Sequence, residues 1–118
     1  MIVNFTKISV FLSLVITGIY ADENGALLFG GNCATCHLQS RTLSAPSIFE
    51  IQTRYKSIFA DKEAFVLWMS TWIAKPDAIT SLMPEAVKKH GLMPELGYDT
   101  QALQDISAYI YENNFSKK

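Results

Sequence analysis

The sequence predicts an all-α domain of about four to five helices. Apolar residues recur at helical spacing in several separate segments, and no stretch of useful length alternates with the two-residue period of a strand. At 118 residues the chain is long enough for one domain and no more.

The first predicted helix covers residues 25–32, with Asp22, Glu23 and Asn24 at its start, where acidic groups suit the positive end of the helix dipole. Residues 39–47 are rich in Ser, Thr and Pro and read as a loop. A second helix begins at Ser47, a good N-cap with Glu50 three residues on, and carries Ile48, Ile51 and Tyr55 on one stripe. A third is capped by Asp61 and stopped by Lys75 and Pro76. Its apolar positions Ala64, Phe65, Trp68, Trp72 and Ile73 predict that both tryptophans are core, with a role for an indole in binding a carboxylate of a cofactor as the alternative. Pro84 opens a short helix over residues 84–89 that Gly91 ends. The last helix, residues 100–112, is strongly amphipathic, with Leu103, Ile106, Tyr109 and Ile110 on one face.

The segment Cys33-Ala34-Thr35-Cys36-His37 carries the chemistry. On one helical turn both thiols face the same side, so each can add across a haem vinyl group, and His37 beside them can bring its imidazole under the iron. Zinc fits this composition poorly, because a structural site needs four ligands and the chain has only two Cys and two His, His37 and the distant His90. A dithiol redox centre is usually met in a βαβ context, which is absent from this pattern. The motif is therefore read as a covalent haem c signature, and the macrocycle is expected to serve as core as well as cofactor in a domain this small.

The N-terminal stretch reads as a secretory signal peptide over residues 1–21. One positive charge, Lys7, precedes the apolar run 8–16, and small residues stand before Asp22. The run is short for a bilayer span, so no membrane span is expected in the mature form, an uncleaved anchor being the alternative. Cleavage after Ala21 leaves a domain of residues 22–118 with nine basic and eleven acidic side chains, a net charge of −2. That balance excludes nucleic acid as a partner class.

A second axial ligand is sought among three residues. The tetrapeptide Leu-Met-Pro-Glu occurs twice, as Leu82 to Glu85 and as Leu92 to Glu95. Met83 precedes a helix in which Pro84 is a normal first-turn residue, whereas Met93 lies in a loop between Gly91 and Gly97 and is pinned by Pro94. Met93 is preferred, with Met83 and His90 as alternatives. Met69 reads as core filler. A thioether ligand raises the reduction potential relative to a second imidazole.

These residues resemble the class I c-type cytochromes, the small bacterial kind with a single haem. Gly25, Phe29, Cys33, Cys36 and His37 fall at that family's first-helix spacing, and Ile106 and Tyr109 where its last helix crosses the first. The resemblance implies that Gly25 lets the two backbones approach, with Phe29 against Tyr109. It implies that Pro46 accepts a hydrogen bond from His37 and that Met93-Pro94 is the distal-ligand loop. The function it implies is one-electron transfer between periplasmic redox partner proteins, with no substrate transformed. Two rivals stand beside it: a haem subunit of a periplasmic oxidoreductase complex, for example in sulfur-compound oxidation, and a five-coordinate haem that reacts with gases or peroxide.

Overall fold

The protein is described from a computed structural model, which covers residues 19–116. All of the predicted signal peptide except residues 19–21 lies outside these residues. Five helices follow one another: α1 (Ile19–Asn32), α2 (Ile48–Ile58), α3 (Lys62–Ala74), α4 (Pro84–His90) and α5 (Thr100–Glu112). Among the described residues there is no strand, and no helix is long and apolar enough to cross a membrane.

Local chemistry sets most of the boundaries. Ser47 and Glu50 form a reciprocal capping box at the start of α2, in which the Glu50 N–H donates to Ser47 Oγ and the Ser47 N–H to the Glu50 carboxylate. Asp61 and Asp99 cap α3 and α5 through their side chains. Gly91 ends α4 at a φ of 85°, a region that favours glycine. One boundary differs from expectation. The backbone of α1 is already helical at Ile19, so Asp22, Glu23 and Asn24 lie within it rather than at its start.

The α5 helix is the hub. It packs against α1, α2 and α3, and the core is built from Phe29, Ile48, Tyr55, Phe65, Met69, Ile106, Ile110 and Phe115. Where α1 crosses α5, Gly25 is buried, and a Cβ added to it would meet the Asp105 carbonyl oxygen and stand 2.9 Å from Tyr109 Cβ. The close approach therefore requires glycine. Beside it Phe29 and Tyr109 lie 5.5 Å apart between ring centroids, and Phe115, beyond the end of α5, closes an aromatic cluster with both.

Polar groups complete the packing. Both Asp105 carboxylate oxygens are satisfied, by Asn24 Nδ2 at 2.8 Å and Gln101 Nε2 at 2.9 Å. The buried Gln52 amide donates to the carbonyls of Ile110 and Asn113, tying α2 to the end of α5.

The tryptophan expectation needs correction. Met69 and Phe65 turn into the core from α3, but Trp68 is 55% exposed and stacks on Phe59 at 5.2 Å. Residues 63–74 are apolar nearly all the way round the helix, so periodicity alone did not select its inner face.

Candidate haem site

The backbone between α1 and α2 is organised around His37. After Asn32 the chain continues as one tight turn in which the Cys33 N–H donates to Phe29 O and the His37 N–H to Cys33 O. Cys33, Cys36 and His37 thus share a turn, although α1 itself ends before them. Loop 38–47 then folds back, because the Ile48 N–H donates to Leu38 O at 2.8 Å and the Phe49 N–H to Gln39 O at 3.2 Å. This closure brings the Pro46 carbonyl oxygen to 2.9 Å from His37 Nδ1. A carbonyl can only accept, so Nδ1 carries the proton and Nε2 keeps its lone pair for a metal.

Glu50 braces the same loop. Its Oε2 accepts from Thr42 Oγ1 at 2.6 Å and from the Ser47 N–H and hydroxyl. The Thr42 hydrogen bond is the largest cause that holds the Glu50 carboxyl below the usual value; burial opposes it, while Ser47 and the charge of Lys89 add to it.

Beside His37 lies a mainly apolar cleft of about 290 Å³. Cys33, Cys36, His37 and Pro46 form part of its wall, and Ile48, Ile51 and Tyr55 bring the predicted stripe of α2 to it. No disulfide joins Cys33 to Cys36. Burial pushes the Cys33 thiol above its ordinary value, and neighbouring Cys36 adds to the effect. Burial pushes the Tyr55 hydroxyl up to about 12, so it remains a protonated donor on the cleft wall.

Helix α4 forms much of the remaining wall. Alone among the five described helices it brings no Cα within 8 Å of another, and its stripe of Met83, Ala86, Val87 and His90 lines the cleft. Met93 lines it from the loop that follows. All three candidate distal ligands therefore reach the same cavity wall. Trp72 lines it too, but its indole N–H donates to Asp77 O at 3.1 Å, and Trp68 is outside the lining. Neither indole is free there to bind a cofactor carboxylate.

The donor set suits haem. Among the described residues no group of three or more His, Cys, Asp or Glu is placed to hold a bare ion. A haem iron brings its own ring nitrogens and needs only axial ligands, while its apolar macrocycle would suit the mainly apolar cleft that α4 lines. Cys33 and Cys36 would hold the ring and His37 the iron.

Sequence reading missed the polar tuning of this site. Tyr55 was legible as an apolar-stripe position but not as a buried hydroxyl, and Thr42 and Glu50 act through a loop whose closure no local pattern announces.

An all-helical domain with an unpartnered helix across an apolar cleft, and a Cys-x-x-Cys-His turn on its wall, defines a covalent haem protein. The family model for Cytochrome c matches residues 23–113, and the chain belongs to that family. It is accordingly a haem c electron-transfer protein with one covalent, iron-bearing haem, and its two cysteines, Cys33 and Cys36, stand at the Cys-x-x-Cys-His spacing. No curated protein and no solved structure matches the chain closely enough to add to this.

Proposed function

We propose that this cytochrome is an exported, periplasmic carrier whose haem iron is held by His37 and Met93, and that it shuttles single electrons between redox partner proteins. The observation that carries the reading is the pairing of donors on one cleft: an imidazole whose Nδ1 is engaged by Pro46, and a thioether from the separate loop 91–99. When bound, the haem supplies the one-electron couple. The chain's residues supply its setting. Pro46 fixes the His37 ring and raises its basicity, and the apolar wall of Ile48, Ile51, Leu103 and Ile106 excludes water and lowers the local dielectric. A soft thioether favours the ferrous state, which suits a high-potential carrier. Export is supported by the charge and hydropathy pattern of residues 1–21.

A redox titration of the purified holoprotein tests the reading. One reversible one-electron step at a positive potential is expected, with the ferric Met-to-iron charge-transfer band present. A low potential without that band would replace the His/Met site with another.

A second reading is favoured by one feature of the surface. Trp68, stacked on Phe59, is 55% exposed, and their neighbours in sequence, Leu67 and Ile58, are also exposed. Apolar side chains grouped in this way suit a haem subunit held in an oxidoreductase complex. Purification under mild conditions separates the two: a shuttle travels alone, a subunit with a larger enzyme.

A further inference from the structure

His90 is a partly buried imidazole with no hydrogen bond or ion pair to any described residue, although it lies on the wall of an apolar cleft. Its position on α4 is specific. Met83, Ala86, Val87 and His90 form one stripe, so Met83 and His90 stand about 10 Å apart along the helix axis at 1.5 Å per residue.

The two also differ in freedom. Met83 is pinned, its N–H donating to Ser81 Oγ at 3.1 Å and its carbonyl accepting from Ala86 and Val87. His90 is the last residue of α4, and Gly91 follows it with a φ of 85° and open space where a Cβ would be. Only Gly91 and Leu92 separate His90 from Met93, and the chain between them has no regular structure.

Resting on the His37/Met93 reading, we infer that His90 is a reserve axial ligand, which takes the distal position on the iron when the bond to Met93 is lost. Imidazole is a good iron ligand in either oxidation state, and Gly91, which lies between His90 and Met93, has a φ of 85° and open space about it in which the backbone can turn. The site would thereby pass from a high-potential His/Met pair to a low-potential bis-imidazole pair without opening to solvent. The first Leu-Met-Pro-Glu copy, Leu82 to Glu85, then has a structural role, as the start of the helix that places His90 on the cleft wall.

The test uses the mature holoprotein and its Met93→Leu and Met93→Leu/His90→Ala variants, read by electron paramagnetic resonance and absorption of the ferric state. The leucine keeps side-chain bulk and cannot ligate; should it distort the loop, Met93→Ala is read in the same way. The inference expects Met93→Leu to stay low-spin without the Met-to-iron band and at a lower potential, and the double variant to become high-spin. It is overturned if Met93→Leu is already high-spin, if it retains the band through Met83, or if the double variant stays low-spin through some other group. Failure of the underlying reading looks different: the unsubstituted protein would itself lack the band.

Discussion

His37 donates through Nδ1–H to the carbonyl oxygen of Pro46 across 2.9 Å, which leaves Nε2 as the one lone pair of the ring. The loop that presents this carbonyl is braced at Glu50 by Thr42 and Ser47. The orientation of the His37 imidazole thus depends on a carboxylate that it does not touch.

A pH dependence follows from Glu50. Its carboxyl is held below the ordinary 4.5, chiefly by the Thr42 hydroxyl, so its contribution to stability is full above 4.5 and is lost as pH falls through the lower value of the folded state. Thr42→Val should flatten the acid limb of the stability profile. Denaturant midpoints taken from neutral pH to well below 4.5 measure it, and superimposable profiles would show that Thr42 does not hold the loop.

At the α1–α5 crossing, Gly25→Ala should destabilise the protein by about 1–3 kcal/mol, the usual range for overpacking a close contact. Even one methyl group would press on the Asp105 carbonyl and on Tyr109 Cβ. Leucine should cost more. Equilibrium denaturation gives the answer, and an unchanged midpoint at unchanged slope would mean that the helices separate there in solution.

Thioether attachment predicts a mass. Intact-protein mass spectrometry should find the chain with one haem added, and the haem should survive acidified organic solvent because both thiols are bonded to it. The same spectrum should show cleavage after Ala21. Cys36→Ser should leave at most a single thioether, and release of haem from the unsubstituted protein would contradict covalent attachment.

What the sequence made legible was local. A capping box, the Asp61 N-cap and a Pro-to-Gly helix act within a few residues, so Ser47, Asp61, Pro84 and Gly91 announced their boundaries. The Cys33-to-His37 turn is contiguous for the same reason. Gly25 and Pro46 came from family resemblance, and the geometry of both agrees with it. The misses are tertiary. Gln52 is polar on a helix and gives no sign that its amide reaches Ile110 and Asn113, and Asp105 becomes intelligible only with Asn24 beside it. Trp68 was misplaced because α3 is apolar on more faces than the core could cover.

The central claim, a haem held by His37 and Met93, is tested most directly by the ferric Met-to-iron charge-transfer band in Met93→Ala and Met83→Ala proteins. Both should retain haem, since Cys33, Cys36 and His37 are untouched. The account predicts that the band vanishes and the potential falls in Met93→Ala, while Met83→Ala keeps the band. A band lost with Met83→Ala and kept with Met93→Ala would contradict it.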